Sequence, residues 1–279
     1  MKLRELDESQ APLLDHLLEL RTRLLRCVYA LALAFAVCFY FADEIFGILV
    51  RPLTQAFPPG QGKLIYTKLY EAFFVNIKVA LFAAFLLSFP VIANQLWAFV
   101  APGLYAKEKR AFLPFLIATP ILFTMGACLA YFVVMPTAFK WFLGFEGHRG
   151  GLQVEALPGT ADYLSLVMQF ILAFGISFLL PVLLMLLNRA GIVTRVQLVA
   201  ARRYVIVGIT AVAAVITPPD VVSQLMLAIP LLILFEGTLI VMRFAERADA
   251  KEKAKAEAEA RAETAAIVVP PADPVSTQP

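Results

Sequence analysis

Charge is scarce in this chain. Asp, Glu, Lys and Arg make up 16% of 279 residues, where a soluble domain carries about a quarter, so the 61% of hydrophobic residues needs a non-aqueous home. Histidine is scarcer still, with only His16 and His148. The topology derived below puts them on opposite sides of a membrane, so they cannot share a metal or a catalytic triad. There is no H-E-x-x-H, no G-x-S-x-G with a partner base and no Gly-rich phosphate loop. Neither an enzyme nor a cofactor or metal site is expected. The three cysteines, Cys27, Cys38 and Cys128, lie in or beside apolar runs. A disulfide framework would be even in number and extramembrane, so these read as small buried hydrophobes. A net charge of +3 is too small to point to nucleic acid. A cleavable signal is not expected either, because about 25 polar and acidic residues precede the first apolar run and no A-x-A site follows it. The alternating ten-residue strands of an outer-membrane barrel are missing, and no fixed-period repeat is visible.

What is present is apolar runs long enough to cross a bilayer, which takes about 20 helical residues. Six spans are expected, over about 24–42, 73–102, 111–139, 163–187, 204–217 and 221–242. Helices satisfy their own backbone groups in lipid, so the expected fold is an all-α polytopic membrane protein. An amphipathic lead-in over about 12–23 runs into the first span, its leucines at helical spacing. Residues 1–244 form the membrane domain. Residues 245–279 form a charged tail, polar on every face, expected to be partly helical and to end in disorder.

Basic residues set the sidedness. On one side lie Lys2, Arg4, Arg21, Arg23, Arg26, Lys107, Lys109, Arg110, Arg189, Arg195, Arg202, Arg203, Arg243, Arg247, Lys251, Lys253, Lys255 and Arg261; the loops opposite hold Arg51, Lys63, Lys68, Lys140 and Arg149. Eighteen against five puts both termini in the cytoplasm. The fifth span has only 14 uncharged residues, about 21 Å of helix against about 30 Å of hydrocarbon, and the sixth follows directly after Pro218-Pro219-Asp220. Two short neighbours imply a locally thinned bilayer or a re-entrant hairpin. Pro90, Pro114, Pro120, Pro181 and Pro230 within spans are expected to kink their helices and curve the wall they form.

Polar groups near the membrane are the candidates for function. Glu19 lies at the water–lipid boundary, where an i,i+4 pair with Arg23 is its plainest role. In the first cytoplasmic loop, Glu108 can simply offset Lys107, Lys109 and Arg110. On the far side Lys78 can snorkel and Glu71 can pair with it. Asn94 and Gln95 lie near the inner end of span two; Thr217, Ser223 and Gln224 cluster around the Pro-Pro turn; and Glu236 lies in span six. For each, a satisfied helix–helix hydrogen bond competes with a partner site. Gly147-His148-Arg149-Gly150-Gly151 reads as a flexible loop.

Five stretches, taken in order, resemble the TatC family, the receptor core of the twin-arginine (Sec-independent) protein translocase. They are His16-Leu17-Leu18-Glu19-Leu20-Arg21-Thr22-Arg23-Leu24; Phe89-Pro90 through Asn94-Gln95-Leu96-Trp97 to Pro102-Gly103-Leu104-Tyr105; Tyr131-Phe132-Val133-Val134-Met135-Pro136; Phe174-Gly175-Ile176-Ser177-Phe178 with Pro181; and Thr217-Pro218-Pro219-Asp220-Val221-Val222-Ser223-Gln224. The resemblance implies a six-helix curved receptor in the bacterial inner membrane. Such a receptor binds the twin-arginine signal peptides of folded cargo, assembles with TatA- and TatB-type single-span subunits and with itself, and uses the proton-motive force. It further implies that Glu19 and Glu108 recognise the arginine pair, that Arg21 orients Glu19 or the peptide backbone, and that Thr217 and Gln224 dock a partner's span. A guanidinium fork meets a carboxylate bidentately, which a lysine cannot reproduce. The chain departs from the family at Leu179 and Leu180, where many members carry Glu or Gln. A solute transporter would instead need a polar midplane site and repeats, and a scaffold or insertase would not tell Arg from Lys.

Overall fold

The computed structural model describes residues 2–58, 62–104, 113–149, 151–217 and 220–268. Among the described residues the regular elements are helices apart from one short hairpin. Helix α1 spans Lys2–Tyr40, α2 Ala42–Thr54, α3 Glu71–Leu104 and α4 Leu113–Leu129. A π-helical turn, Ala130–Val134, leads into α5, Met135–Leu143. Strands β1, Gly147–Arg149, and β2, Leu152–Val154, pair antiparallel. Then follow α6 Thr160–Ser177, α7 Leu180–Arg189, α8 Arg195–Ala200, α9 Arg202–Ile216 and α10 Val221–Val268.

Among the described residues, five segments are long and apolar enough to cross a membrane: Leu17–Tyr40, Glu71–Phe99, Phe115–Leu143, Thr160–Arg189 and Val221–Ala248. The expected fifth span, α9, has 15 residues and falls short of that length. The lead-in and the first span form one unbroken helix, and α10 runs as helix to Val268, well into the tail. The glycine-rich far-side segment is a β-hairpin turned at Gly151, whose φ of +84° a side chain disfavours. Of the prolines named, Pro90, Pro120 and Pro230 sit inside continuous helix. The breaks come before Pro181, where α6 ends and α7 begins, and before Pro136, where the chain winds into the π turn. Each proline lacks the N–H that would continue the ladder.

The packing is an open row. Helix α1 packs along α3, α3 on α4, α4 on α6, and α10 joins α7 to α9. The α1–α3 seam is made of Ala34 and Cys38 against Ala80 and Ala84, small residues that let two membrane helices approach closely. At the far end of the same seam the Asn76 amide reaches Asp43 at 3.5 Å, so the two helices run antiparallel. The main core lies around α6, where Phe170, Phe174, Val167 and Leu164 are buried with Met135, Leu227, Leu231 and Phe235. Large apolar side chains such as Leu33, Phe132 and Val215 stay exposed, as a lipid-facing surface allows.

The side opposite the N-terminus carries a polar cap. The hydroxyls of Tyr131 and Tyr163 donate to the carbonyls of Ile48 and Leu49, pinning α2 to the π turn and to α6. Thr160 N–H donates to Ile65 O at 2.9 Å and Ile65 N–H to Pro158 O at 3.2 Å. Glu71 completes the cap. Its Oε2 accepts from Thr67 N–H, Thr67 Oγ1 and Lys68 N–H at 2.7, 2.8 and 3.2 Å, and its Oε1 accepts from Ala161 N–H at 2.9 Å. A carboxylate thus closes the first turn of α6, where unpaired N–H groups and the helix dipole favour negative charge. The expected Glu71–Lys78 pair is not formed: backbone donors fill both oxygens, and Lys78 stands exposed.

Candidate functional site

The leucine-rich repeat of α1 leaves Glu19 at the N-terminal end of the apolar run, half-buried. Arg23, one turn on, donates through Nε at 3.0 Å and through Nη2, both to Oε1. Oε2 makes no hydrogen bond among the described residues, and 37% of the Glu19 side chain is exposed. The result is a carboxylate held in place by one arginine with its second oxygen turned outward. Arg23, not Arg21, orients Glu19. Arg21 is exposed, and two residues along a helix do not share a face.

Glu108 lies outside the described residues, but its flanks are placed. Phe89 stacks on Phe123 with ring centroids 3.7 Å apart, and Trp97 Nε1 donates to Thr119 Oγ1 at 2.7 Å. These contacts make α3 and α4 an antiparallel pair, and Trp97 and Thr119 stand eleven residues before and after Glu108. The seam with α1 sets the level of Glu19. Stepping fifteen residues from Ala34 to Glu19, about 22 Å, corresponds on antiparallel α3 to the step from Ala84 to Phe99. Glu19 therefore lies beside the C-terminal end of α3, the last described element before Glu108 in the chain. The Trp97–Thr119 tie that closes this end is a contact sequence reasoning missed, since Thr119 carries no motif of its own.

The second cluster lies at the α9–α10 turn, on the opposite side. Thr217 is buried and donates to Ala213 O at 2.9 Å. Its extended backbone, φ −87° and ψ 157°, is what a following proline requires. Pro218 and Pro219 lie outside the described residues. Asp220 Oδ1 accepts from Ser223 N–H at 2.7 Å and caps α10. Gln224, partly exposed, donates to Thr210 O at 3.3 Å, and Gln169 donates to Ile216 O at 2.7 Å. The sequence-predicted polar patch is thus drawn together, with Thr217 inside it and Gln224 at its surface. The helices that carry it, α9 and α10, pack on each other and on α6 and α7, whereas the helix of Glu19 packs along α3.

Of the remaining polar groups, Glu236 pairs with Arg202 at 2.8 Å, tying α10 to the start of α9. Asn94 is exposed, and Gln95 Oε1 is buried without a partner. Leu179 and Leu180 fill the α6–α7 break with apolar contact, Leu179 against the Phe89–Phe123 cluster and Leu180 against the main core. Among the described residues no three His, Cys, Asp or Glu gather as metal ligands.

Helices long and apolar enough to cross a membrane, with a Glu19–Arg23 pair at the N-terminal end of the first and a hydroxyl–amide cluster at the α9–α10 turn, define a polytopic membrane protein. Residues 15–230 match the model of the TatC family, described as Sec-independent protein translocase protein. The chain is 48% identical over 246 residues to the Sec-independent protein translocase protein TatC of Magnetococcus marinus, covering 88% of this chain and 89% of that one. It is 42% identical over 237 residues to that of Escherichia coli, covering 85% and 90%. A crystal structure of a twin-arginine translocase receptor, TatC, in detergent superposes with a TM-score of 0.70 at 39% identity, covering 81% of this chain and 98% of that one. The chain belongs to the TatC family. It is a component of a membrane protein translocase, and its work is protein transport rather than catalysis.

Proposed function

We propose that the chain is the twin-arginine signal-peptide receptor and core subunit of a translocase that exports folded proteins across the bacterial inner membrane, driven by the proton-motive force. The observation that carries this reading is the state of Glu19: its carboxylate is held by Arg23 through one oxygen only, beside the end of α3 that precedes Glu108 in the chain. A second guanidinium can take the outward oxygen and share the local charge. With two arginines and two carboxylates partly desolvated, discrimination against a peptide lacking one partner reaches several kcal/mol, because the deserted charge stays unpaired. Arg21, exposed one face away, is free to meet the peptide backbone or a lipid headgroup.

In this reading α9 is a short sixth crossing, which puts both termini in the cytoplasm with Glu19 and Glu108. TatA- and TatB-type single-span subunits dock at the opposite rim, where Gln224 is the surface member of a patch whose buried floor includes Thr217. Self-association is part of the same assembly. Because Leu179 and Leu180 supply no carboxylate, partner contacts here rest on the amide and hydroxyl groups.

The test is photocrosslinking of the membrane-embedded protein to an Arg-Arg signal peptide with a Lys-Lys version as control. Crosslinks near Glu19 and in the Glu108 loop, lost with Lys-Lys and weakened by Glu19→Ala and Glu108→Ala in a protein that still inserts, are expected. Equal labelling by both peptides, or unchanged affinity in both variants, rejects the receptor site.

A further inference from the structure

On the side opposite Glu19, a groove of about 240 Å³ opens between α2 and the π turn, lined by Ile48, Arg51, Pro52, Gln55, Tyr131, Phe132 and Pro136. Arg51 is the charge in it. The guanidinium makes no hydrogen bond or ion pair among the described residues, and no carboxylate lines the groove. The nearest acid on the same face of α2 is Glu44, two turns away, about 10 Å along the axis. The floor is rigid, because Tyr131 and Tyr163 pin the Ile48 and Leu49 carbonyls. A neighbouring cavity of about 310 Å³ also holds basic groups, Lys68 and Lys78, but Glu71 and Asp162 line it too and balance them. Of these two, the Arg51 groove alone has an excess of one charge sign.

Its depth is set by α4. The described part of α4 begins at Leu113, three residues after Arg110. Nineteen residues on, about 28 Å of helix and close to one hydrocarbon thickness, the chain reaches Phe132. Phe132 and Ile48 are exposed, 69% and 46%, at the edge of the groove, and Tyr131 lies beside them where membrane proteins place aromatic belts. Arg51 therefore sits at an interface with apolar walls toward the acyl chains and a fork-shaped donor toward the headgroups. Arg51 is exposed, so its head can reach the headgroup level, and the anion at that depth is a lipid phosphate, which a guanidinium binds through two parallel hydrogen bonds.

We propose that this groove is a binding site for an anionic phospholipid of the leaflet opposite the N-terminus, with the Arg51 guanidinium and the Gln55 amide on the phosphodiester and Ile48, Phe132 and Pro136 against the upper acyl chain. The site is independent of peptide recognition and does not rest on it.

The experiment is native mass spectrometry of the full chain released from micelles doped with phosphatidylglycerol or phosphatidylcholine, for the wild type, Arg51→Gln and Arg51→Lys. Phosphatidylglycerol is expected to be retained over phosphatidylcholine by the wild type and to fall about tenfold in Arg51→Gln, the worth of one charge-assisted phosphate contact. Arg51→Lys falls between, keeping the charge without the fork. Equal retention of both lipids, or unchanged retention in Arg51→Gln, overturns the site. Displacement of the lipid by millimolar inorganic phosphate assigns the groove to a free anion and overturns the lipid reading. A photoreactive phosphatidylglycerol on the wild type supplies a readout that needs no variant: labelling is expected in 48–55 and 131–136, and labelling confined elsewhere, or a lipid-free crosslink from Arg51 to a second copy, overturns the proposal.

Discussion

Gly126 on α4 and Gly175 on α6 mark the closest approach in the core, and they respond differently to one added methyl group. A Cβ on Gly126 would lie 2.5 Å from the Phe174 carbonyl oxygen, 2.9 Å from its carbon and 2.8 Å from Phe178 Cγ. The obstruction is largely backbone, so α4 and α6 must separate by several tenths of an ångström. Overpacking of this kind costs about 1–3 kcal/mol, with the upper end fitting a backbone clash, while alanine returns about 1 kcal/mol of helix propensity. Gly126→Ala is therefore expected to destabilise by about 2 kcal/mol, which at about 2–4 °C per kcal/mol lowers the midpoint by about 4–8 °C. At Gly175 the new Cβ would meet only the Phe123 ring, at 2.6, 2.9 and 3.0 Å. That ring is buried and stacked on Phe89, so it cannot swing aside. Removing it should help one variant and not the other: Phe123→Leu rescues Gly175→Ala while leaving Gly126→Ala impaired, a coupling expected only of contacting groups. The assay is the fraction of monodisperse protein surviving graded heating in detergent, read by size-exclusion chromatography. A Gly126→Ala midpoint at or above wild type, or equal rescue of both variants by Phe123→Leu, refutes the close-packed α4–α6 seam.

Glu71→Ala leaves three backbone N–H groups without their acceptor, so limited proteolysis should cut the 62–70 segment faster than in wild type; an unchanged cleavage rate would show that the clasp is dispensable. Gln224→Leu should lower co-purification of single-span partner subunits while leaving Arg-Arg peptide crosslinking intact, and a normal partner yield counts against that patch. Beside α9, whose 15 residues span about 22 Å, spin labels at the exposed positions Val207 and Val215 should report a bilayer thinner than the usual ~30 Å; ordinary thickness there would leave α9 buried as part of a re-entrant hairpin.

Several features were readable in the residues because their physics is local. Apolar runs as long as a bilayer is thick have to become helices, since lipid offers no partner for a free N–H. The five longest segments follow from that alone. The Glu19–Arg23 pair was legible as an i,i+4 spacing, and the polar patch around Thr217 and Gln224 as a cluster flanking two prolines. Family membership was legible in five ordered stretches, whose order no single motif would show.

Other features depend on which helix lies beside which, and no local rule supplies that. Glu71 looked like a partner for Lys78, seven residues along the same helix, yet its carboxylate goes to Ala161, ninety residues away, because the far-side loops fold over the start of α6. The five prolines expected to kink their helices looked equivalent, yet of them only Pro181 lies at a break in the α-helical winding, and the π turn precedes Pro136, which was not among them. Gly126 and Gly175 are ordinary glycines until two helix axes meet at them. Arg51 reads as one more far-side charge until α2 is pinned beside the π turn and leaves its guanidinium in a groove without a carboxylate. Sequence alone determined that this chain enters a membrane as long helices, because burial of apolar runs is a property of each segment. Tertiary structure alone decided which polar groups are consumed by the fold and which are left for a partner, because that depends on contacts between segments far apart in the chain.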